Sequence, residues 1–308
     1  MDKIEELLVC PECFGKLEYS EFVSNCSNCH INFSIVNGIP IMLIPDINDM
    51  KRINTNNIDM NKSYVIDYYS QVSKELESKY GRFIKFMNCG YVINENKQYS
   101  IIELNEEKIE RNSIKLFLEV VGNVDCNNKR IIEIGCGRGG NIFYLNKFFK
   151  PKEVVGIDLC FENIISCDKR KHSNSFYYVA DAENIPFASE CFDIVINIES
   201  SFHYPDLFRF FRNVHRILKQ SGYFLYADVL PKQTFQEMEN YITSLSFEII
   251  RAQDITSNVL MSFESLASSY IGINESTLNE FLAMLDSRNY RKLKEGEAEY
   301  RIYSIRKI

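Results

Sequence analysis

The stretch of sequence that decides the fold of this chain is IIEIGCGRGG, residues 131–140. A hydrophobic strand is predicted to stop in this glycine-rich turn, and a helix to follow from Asn141 to Phe149. The next predicted strand runs from Glu153 to Ile157 and is followed by Asp158. Glycines let the backbone turn tightly and approach a ligand, and an acid at the end of the second strand accepts hydrogen bonds from a ribose diol. The stretch therefore predicts a nucleotide-binding βαβ unit.

The glycines of this turn follow the pattern Gly-x-Gly-x-Gly, at Gly135, Gly137 and Gly139, and an acid, Glu133, precedes them. Dinucleotide-binding enzymes instead use Gly-x-Gly-x-x-Gly, which brings a helix N-terminus up to the pyrophosphate of the ligand. S-adenosylmethionine has no pyrophosphate. The pattern therefore favours S-adenosylmethionine over NAD as the ligand.

Together with motifs farther along the chain, this turn resembles the class I S-adenosylmethionine-dependent methyltransferases, over about residues 112–228. Residues 133–139 are similar to the first motif of that family, where the glycine loop packs against the methionine moiety. By the same resemblance, Asp158 is the acid that binds the ribose, and Asp181 is the acid that recognises the adenine amino group. The turn at 220–222, Gln-Ser-Gly, departs from the usual Pro-Gly-Gly and keeps one glycine. The alternative is a nucleotide-binding fold without a cofactor.

The resemblance implies an α/β fold with a Rossmann-like sheet of seven strands, mostly parallel, in which the last strand is antiparallel. It also implies that the site lies at the carboxyl ends of the strands, beside the glycine loop. The residues expected to bind the cofactor are Tyr91, Glu133, Gly135, Cys136, Gly137, Gly139, Asp158, Leu159, Asp181, Ala182, Glu183 and Asn197.

Three residues that follow the predicted fourth strand or end the fifth are the candidates for catalysis. His203 is predicted as a general base because an unperturbed imidazole titrates near neutral pH. The alternative is a loop histidine that packs against the cofactor. Asp228 is predicted to orient that imidazole, or else to cap the next helix. Glu199 is a second candidate for the base, or a partner for the amino-acid end of the cofactor.

The segment Glu-Ser-Ser-Phe-His-Tyr-Pro, residues 199–205, resembles more narrowly a bacterial branch of small-molecule O-methyltransferases. Residues 86–91 and 111–114 carry the same resemblance. That branch acts on phthiocerol-type lipids, polyketides and the sugars of natural products. Its expected catalytic pair is a histidine after strand four and an acid after strand five, and these positions match His203 and Asp228.

Four of the ten cysteines stand near the N-terminus in two Cys-x-x-Cys pairs, Cys10 with Cys13 and Cys26 with Cys29. Two such pairs, with twelve residues between them, can present four thiolates tetrahedrally to one zinc ion. Four thiolates leave no open position, so we expect a structural site rather than a catalytic one. The alternative is a set of reduced thiols at a decayed metal site.

Residues 5–45 resemble the small zinc-ribbon proteins that activate tRNA and rRNA methyltransferases, and similar ribbons at the head of some bacterial methyltransferases. The resemblance implies that the ribbon shields a face of the catalytic domain or helps to hold a substrate. A ribbon is not typical of the O-methyltransferase branch, which leaves the acceptor open. We expect Cys10→Ser to loosen residues 1–45 and to leave cofactor binding largely intact, because the folding of such a ribbon depends on its metal.

The chain divides into three predicted parts. Residues 1–45 form the zinc ribbon, residues 46–110 a polar linker and a helical lid, and residues 111–308 the class I methyltransferase domain. The lid contains a helix predicted from Tyr64 to Tyr80, where residues recur at helical spacing.

Composition narrows the classes of function. The net charge of −7 argues against a nucleic-acid substrate, because proteins that grip phosphate backbones carry a basic face. The sequence has no signal-peptide core and no run of about 20 apolar residues, so we predict neither secretion nor a membrane span. Ten cysteines without a secretion signal are typical of a reducing compartment. We therefore predict a cytoplasmic protein.

The leading hypothesis is an enzyme that transfers a methyl group from S-adenosylmethionine to an oxygen of a small-molecule natural product or lipid. Its partners are then the small-molecule acceptor and either a second copy of the chain or a carrier protein. An rRNA or tRNA methyltransferase with a substrate-binding ribbon is the first alternative. A cofactor-binding scaffold that recruits a partner through the ribbon is the second. The sequence does not specify the acceptor, or whether oxygen, nitrogen or carbon is methylated.

Overall fold

The computed structural model describes residues 4–45, 62–80, 84–92, 110–269 and 287–308. The strands are β1 (Leu17–Tyr19), β2 (Val23–Cys26), β3 (Asn32–Val36), β4 (Ile39–Met42), β5 (Arg130–Ile134), β6 (Glu153–Asp158), β7 (Ser175–Ala180), β8 (Phe192–Ile198), β9 (Leu218–Leu230), β10 (Phe247–Asp254) and β11 (Glu299–Lys307). The helices are α1 (Lys62–Tyr80), α2 (Arg111–Val121), α3 (Gly140–Phe148), α4 (Phe161–Asp168), α5 (Leu207–Ile217), α6 (Lys232–Ser244), α7 (Thr256–Ser269) and α8 (Ser287–Glu295). Short 3-10 helices lie at Ile4–Leu7 and Ser201–His203.

These strands join one mixed sheet, in the order β1-β2-β3-β4-β7-β6-β5-β8-β9-β11-β10. From β4 to β9 neighbouring strands run parallel, whereas β11 is antiparallel to both β9 and β10. Parallel strands that are covered on both faces consist of nearly continuous apolar runs, and every residue of β5 is buried.

The chain places β6 and β7 on one side of β5 and then crosses over to place β8 on the other side. In open α/β sheets, ligands bind at the carboxyl ends of the strands where the strand order reverses in this way. The topology therefore predicts a binding crevice beside the ends of β5 and β8.

The α/β class and the mixed sheet are confirmed, with five parallel and five antiparallel strand pairs. The predicted sheet of seven strands is smaller than the sheet of eleven found among the described residues. Seven strands lie between residues 130 and 307, and the four N-terminal strands extend the same sheet beyond β7. The physical reason is that β4 pairs parallel with β7, Ile41 with Val179 and Met42 with Ala180.

The four N-terminal strands pair antiparallel with one another in chain order. Asn37 and Gly38 make the tight turn between β3 and β4 and both have positive φ, as two-residue hairpin turns require. The buried side chains Leu17 and Phe33 belong to the same hydrophobic cluster as Phe187. The N-terminal strands therefore fold onto the large sheet and share its core.

The helix α5 follows the 3-10 helix of Ser201–His203, and its sequence explains its formation. Asp206 caps its N-terminus by accepting a hydrogen bond from the N–H of Arg209 at 2.8 Å. Phe210, Val214 and Ile217 recur at helical spacing and are fully buried against the sheet. Burying an apolar side chain of this size contributes roughly 1.5–3 kcal/mol, which is ample to hold a short helix in place.

The helix α1 packs against α4 and borders the carboxyl ends of the strands. Ser70 donates to the carboxylate of Glu162 at 2.6 Å, and Lys74 pairs with the same carboxylate at 3.0 Å. One turn farther on, Glu77 pairs with Arg138 of the glycine-rich turn at 2.9 Å. These contacts hold α1 beside the crevice, which Lys62, Val65 and Tyr69 line.

The polar linker predicted between residues 46 and 61 lies outside the described residues. Among the helices that are described, none combines the length and the apolar character that a membrane crossing requires.

Candidate functional site

A cavity opens at the carboxyl ends of β5, β6, β7 and β8. Its wall is formed by the glycine-rich turn, the ends of these strands, α1 and residues 85–88. We name two parts of it: the glycine-loop end, residues 133–141, and the Asp181 end, residues 181–184 with Lys62. The polar residues of the lining include Lys62, Tyr69, Glu133, Asn141, Asp158, Asp181, Glu199 and His203.

The glycine-rich turn approaches its neighbours so closely that side chains do not fit there. Gly135 has φ 69° and Gly137 has φ 52°, in the left-handed region that glycine adopts without steric cost. A Cβ on Gly135 would collide with the hydroxyl of Ser200, and one on Gly137 would lie 2.8 Å from Cε of Met87. The turn therefore leaves bare backbone at the cavity, as the close approach of a ligand requires.

Glu133 is a buried carboxyl at the glycine-loop end. Its Oε1 accepts a hydrogen bond from Nδ2 of Asn141 at 2.5 Å. The other oxygen, Oε2, and Oδ1 of Asn141 have no hydrogen-bond partner among the described residues. Burial raises the pKa of Glu133 to about 8, with a further contribution from the charge of Asp158. Two bare acceptor oxygens at a cavity wall fit a ligand that carries hydrogen-bond donors and positive charge.

The carboxylate of Asp158, at the end of β6, is held mainly by its own loop. Oδ2 accepts from the N–H of Gly137 at 2.8 Å, and Oδ1 accepts from the N–H of Cys160 at 2.9 Å and from the amide of Asn163 at 3.2 Å. Burial raises the pKa of Asp158 although these three bonds oppose the shift. A carboxylate has about four acceptor positions, so one remains for a ligand hydroxyl.

Asp181, which follows β7, shares a buried lysine with Glu183. Nζ of Lys62 lies 2.8 Å from Oδ2 of Asp181 and also contacts the carboxylate of Glu183. Asp181 accepts further bonds from the N–H of Glu183 at 3.0 Å and from the amide of Asn184 at 2.9 Å. Burial raises the pKa of Glu183 even though the charge of Lys62 opposes this. The acids at the Asp181 end thus have a cation between them.

His203 lies on the 3-10 helix after β8 and contacts Tyr69 of α1. Its Nε2 is 3.0 Å from the hydroxyl of Tyr69, and the two rings meet edge to face with their centroids 5.5 Å apart. The ring of Phe202 packs against the imidazole with 4.0 Å between centroids. An imidazole held by a phenol at a cavity wall can accept, keep or return a proton there.

Glu199, which follows β8, has φ 51°, a left-handed conformation that is uncommon outside glycine. Its carboxylate accepts from the N–H of Cys89 at 2.9 Å and 3.1 Å and from the hydroxyl of Tyr300 at 2.8 Å. Burial raises the pKa of Glu199 to about 7 against these hydrogen bonds. The carboxylate ties residues 84–92 to the sheet, which leaves it less available as a base than His203.

Asp228 does not hold the imidazole of His203, in contrast to the prediction. It is fully buried in β9, where its carboxylate accepts from the N–H groups of Ser201 and Phe202 at 2.8 Å and 3.2 Å and from the hydroxyl of Ser201 at 2.5 Å. The other oxygen accepts from the N–H of Val229. Burial raises the pKa of Asp228 to about 6. Asp228 therefore fixes the backbone that carries the imidazole and acts on it only indirectly.

The cavity brings together ten of the predicted site residues: Glu133, Gly135, Cys136, Gly137, Asp158, Leu159, Asp181, Ala182, Glu199 and His203. The other five predicted site residues do not line the cavity: Tyr91, Gly139, Glu183, Asn197 and Asp228.

Three of the predicted residues outside the lining make contacts that hold neighbouring segments in place. The N–H of Tyr91 donates to the carbonyl of Asn112 at 2.9 Å. Asn197 donates through Nδ2 to the carbonyl of Ile134 at 2.8 Å, just before the glycine-rich turn. A Cβ on Gly139 would lie 2.8 Å from Sγ of Cys167, so this glycine lets the turn pack on α4.

The sequence pattern does not single out Lys62, Tyr69 or Asn141, although all three line the cavity. Lys62 and Tyr69 are seven residues apart, which is about two helical turns and puts them on one face of α1. That spacing is the available signal. Their partners, Asp181 and His203, lie 119 and 134 residues farther along the chain, and local periodicity carries no information about such pairs.

A second cluster of reactive side chains lies in the N-terminal strands. The Sγ atoms of Cys10, Cys13, Cys26 and Cys29 all lie within 4.8 Å of one another, and those of Cys13 and Cys26 are 3.5 Å apart. In a tetrahedral site with Zn–S bonds of about 2.3 Å, sulfur atoms are roughly 3.8 Å apart. The positions of the four thiols fit a single tetrahedral metal ion.

The two Cys-x-x-Cys turns have the same backbone conformation. The N–H of Phe14 donates to the carbonyl of Cys10, and the N–H of His30 donates to the carbonyl of Cys26, both at 2.8 Å. Phe14 and His30 each have φ 58°. Because the turns repeat, each presents two thiols to a common centre, as metal-binding knuckles do.

Comparison with known proteins gives matches to methyltransferases. Residues 132–226 match the family described as a methyltransferase domain. The chain is 31% identical over 227 residues to a fatty-acid O-methyltransferase of Mycolicibacterium smegmatis, and the match covers 71% of this chain and 82% of that protein. It is 32% identical over 234 residues to a phthiotriol/phenolphthiotriol dimycocerosates methyltransferase of Mycobacterium leprae, covering 73% and 86%.

Solved structures with the same fold have lower sequence identity. The cyclase SpnF matches with a TM-score of 0.60 at 18% identity, over 79% of this chain and 94% of that one. A geranyl diphosphate methyltransferase in complex with GPP and sinefungin matches with a TM-score of 0.56 at 15% identity, over 80% and 99%. At these identities the likeness is one of fold.

Proposed function

Because the chain belongs to the S-adenosylmethionine-dependent methyltransferases, we propose that it transfers a methyl group to a hydroxyl oxygen of a lipid or another largely apolar small molecule. Family membership supplies the cofactor and the reaction type. The acceptor class and the roles of individual residues are inferred from the cavity.

When bound, S-adenosylmethionine supplies an activated methyl group, so the protein has mainly to align the acceptor and exclude water. Glu133 and Asn141 offer bare oxygens that suit the ammonium of the methionine moiety. Asp158 keeps an acceptor position for a ribose hydroxyl. Asp181 would accept the adenine amino group, and Lys62 would then stay paired with Glu183.

The observation that carries the proposal is the contact of 3.0 Å between Nε2 of His203 and the hydroxyl of Tyr69 at the cavity wall. A hydroxyl is too weakly acidic to attack efficiently by itself, so a base has to remove its proton as the new O–C bond forms. We assign this role to the neutral imidazole of His203. Tyr69 holds the imidazole in place until an acceptor hydroxyl replaces the phenol, and Asp228 fixes the backbone beneath it.

The apolar part of the lining favours an acceptor with a hydrocarbon portion. Val65, Phe86, Met87 and Ile198 contribute apolar side chains to the cavity. The two relatives act, by their names, on fatty acids and on phthiotriol compounds. A fatty acid offers a carboxyl oxygen, which is ionised at neutral pH and needs no base, whereas a triol offers hydroxyl oxygens, which do. The pair of His203 and Tyr69 therefore favours the hydroxyl.

An RNA acceptor has less support from the cavity, because the cations of its wall already have acidic partners. Lys62 pairs with Asp181, and Lys85 pairs with Glu110 at 2.8 Å. Phosphate contacts need cations that are available to the nucleic acid, and the chain as a whole carries a net charge of −7.

We also propose that the four thiolates bind one structural zinc ion, and that residues 1–45, 46–110 and 111–308 act as ribbon, linker with lid, and catalytic domain. The close approach of the four Sγ atoms supports the metal site. Thiolate ligands and ten cysteines suit a reducing compartment, and we propose the cytoplasm as the location.

His203→Ala tests the assignment of the base. With labelled S-adenosylmethionine and hexadecane-1,2-diol as the probe acceptor, we expect turnover to fall by about 10²–10⁴-fold. Affinity for S-adenosylhomocysteine, measured by calorimetry, should stay within about twofold. The control is His30→Asn, at an exposed position of the ribbon, which should change neither quantity. Near-normal turnover in His203→Ala would assign the base to Glu199 or leave proximity as the only catalytic effect.

The stability of the product to hydroxide separates the acceptor classes. A methyl ester is cleaved by hydroxide and a methyl ether is not, so hexadecanoic acid and hexadecane-1,2-diol can be offered together. We expect the label in the base-stable product. Label found only in the ester would show that the acceptor group is a carboxyl and not a hydroxyl. Label in added tRNA or rRNA would favour an RNA methyltransferase. Bound cofactor without transfer to any of these would favour a scaffold.

A further inference from the structure

The metal cluster and the Asp181 end of the cavity are joined by backbone pairing. We define the adenine segment as residues 181–188, which starts at Asp181. Residues 7–9 directly precede the thiol ligand Cys10 and run antiparallel to residues 186–188. The first Cys-x-x-Cys turn is thus continuous with a strand-like contact on the adenine segment.

Three contacts make up this pairing. The N–H of Val9 donates to the carbonyl of Pro186 at 2.9 Å, and the N–H of Ala188 donates to the carbonyl of Leu7 at 2.9 Å. Between them, Leu8 forms a bridge with Phe187. Backbone groups that are paired in a buried region cost free energy when they are separated, so movement of residues 7–9 acts directly on the segment.

A second connection runs through Phe14, in the first Cys-x-x-Cys turn. The ring of Phe14 lies on the guanidinium of Arg216 at 4.1 Å. Arg216 donates to the carbonyl of Ile185 at 2.7 Å and to that of Phe187. Burial lowers the pKa of Arg216 to about 10, so this buried cation depends on the ring and the two carbonyls for its stabilisation.

Packing forms a third connection. Met42 of β4 pairs with Ala180, the residue before Asp181. Cys10 and Cys26 are fully buried and belong to the same hydrophobic cluster as Ala180. Without a metal, nothing holds the four sulfur atoms at a common centre, and a change in their positions would disturb packing next to the adenine segment.

We propose that the metal centre of the N-terminal ribbon positions the adenine segment, so that loss of the metal lowers the affinity of the cavity for its cofactor. The proposal rests on the metal site and the cofactor site of the proposed function. Phe14 and Arg216 are positioning residues, since neither lines the cavity. Thermodynamic linkage then requires the cofactor to tighten metal binding by the same factor.

The effect should be partial, because α5 also holds the adenine segment. Nδ2 of Asn213 donates to the carbonyl of Glu183 at 2.9 Å. The proposal nevertheless differs from the expectation that replacement of Cys10 leaves cofactor binding largely intact. That expectation treats the ribbon as a separate module, whereas β4 and residues 7–9 are paired with the catalytic domain.

The first test compares zinc-loaded protein with protein that has been freed of zinc by a chelator and then by gel filtration. Zinc is counted by mass spectrometry, and binding of S-adenosylhomocysteine is measured by calorimetry. We expect affinity to fall by about tenfold when zinc is removed, the change that corresponds to 1.4 kcal/mol. In the reciprocal measurement, saturating S-adenosylhomocysteine should tighten zinc binding against a competing chelator by the same factor.

Variants that keep zinc separate positioning from unfolding. Phe14→Asn removes the ring from Arg216, and asparagine tolerates the φ of 58° at this position. We expect one zinc per chain and cofactor binding several times weaker. Phe14→Tyr keeps a ring over the guanidinium and should restore the affinity. His30→Asn is the matched control, because it makes the same replacement at the same φ in the second turn.

Weaker binding in Phe14→Asn with normal binding in Phe14→Tyr and His30→Asn supports the proposal. Equal affinities in the zinc-loaded and zinc-free proteins, together with normal binding in Phe14→Asn, would overturn it. If zinc-loaded wild-type protein failed to bind S-adenosylhomocysteine, the cofactor site of the proposed function would be refuted. If carefully prepared protein contained no zinc, the metal site would be refuted. Either result would also overturn the present proposal.

Discussion

The two ends of the cavity both contain buried acids, but they are built in opposite ways. At the glycine-loop end, Glu133 is bonded to Asn141, eight residues away in the same βαβ unit, and keeps a bare oxygen. At the Asp181 end, Asp181 and Glu183 share Lys62, which precedes Asp181 by 119 residues. The Glu133–Asn141 pair is local in sequence and has no cationic partner in the described structure, whereas the two acids at the Asp181 end share a cation from a distant segment.

This difference separates direct binding from support. Glu133, Asn141 and the glycines of the turn lie within one βαβ unit, so substitutions of these residues should act directly on cofactor binding. The Asp181 end is held by α1 through Lys62 and by the ribbon through residues 7–9, so substitutions there should act through the anchoring of those elements.

The largest effect on cofactor affinity is expected for Gly135→Ala, at the glycine-loop end. A left-handed conformation costs a non-glycine residue about 1–2 kcal/mol, and the new Cβ collides with the hydroxyl of Ser200, with an overpacking cost of about 1–3 kcal/mol. We expect the affinity for S-adenosylhomocysteine to fall by about 100-fold in calorimetry. Gly296→Ala, at φ 75° with open space around it, is the matched control and should bind normally. Normal binding in Gly135→Ala would mean that the turn does not approach the cofactor.

Asp158→Ala should weaken cofactor binding by about 1–3 kcal/mol, the scale for a hydrogen bond to a charged group. The physical reason is the loss of both the proposed ribose contact and the bonds that hold the turn. Asp168→Ala is the control, since Asp168 pairs with Lys171 at the surface. Unchanged affinity in both Asp158→Ala and Asp181→Ala would contradict the proposed orientation of the cofactor.

The same comparison explains what the sequence could and could not predict. The turn, Glu133 and Asp158 lie within one βαβ unit, so their spacing carries the information about the glycine-loop end. Asp181 is predictable from its position after β7, but its cation is not, because Lys62 reaches it only through the packing of α1. Ion pairs between distant segments leave no periodicity to detect.

Asp228 and the ribbon show a related limit. The order of strands predicts that Asp228 lies near His203, but not that its oxygens are already taken by Ser201 and Phe202. The cysteine spacing likewise predicts the shape of the ribbon, but not the parallel pairing of β4 with β7. Contacts across a sheet edge depend on which strand edge is left open, and the local sequence does not encode this.

At the Asp181 end, Lys62→Met should have a smaller effect on affinity than Asp158→Ala, less than about tenfold. Without the ammonium, one of the two buried carboxyls takes up a proton and the other stays ionised to accept a hydrogen bond. Thermal unfolding should move to lower temperature, because two acids lose their counter-charge. Lys74→Met is the control, since that side chain is 67% exposed in a surface pair of little energy. Tighter cofactor binding in Lys62→Met would show that Lys62 competes with the adenine group.

The smallest effect concerns pH. Burial raises the pKa of Glu133 to about 8 and that of Glu199 to about 7, above the unfolded-chain value of about 4.3. Carboxyls of this kind bind their protons more tightly when folded, so their contribution to stability is complete below the unfolded pKa and is lost as the pH rises through the folded one.

Cofactor-free protein should therefore become less stable between about pH 5 and pH 8. Glu133→Gln keeps the size of the side chain without titration, and it should reduce the decline of the melting temperature by about 2–4 °C. Melting curves across this range test the expectation. Superimposable pH profiles of the melting temperature for the wild type and Glu133→Gln would contradict the statement that Glu133 is a buried acid without a counter-charge.

In the proposed function, His203 removes the proton of an acceptor hydroxyl beside the cofactor. The most direct measurement is single-turnover transfer of a labelled methyl group from enzyme-bound S-adenosylmethionine to hexadecane-1,2-diol, for wild type and His203→Ala across the imidazole titration. We predict a wild-type rate that rises with pH as the base becomes neutral and a variant rate that is about 10²–10⁴-fold lower without that rise. Equal rates in the two proteins, independent of pH, would contradict the claim.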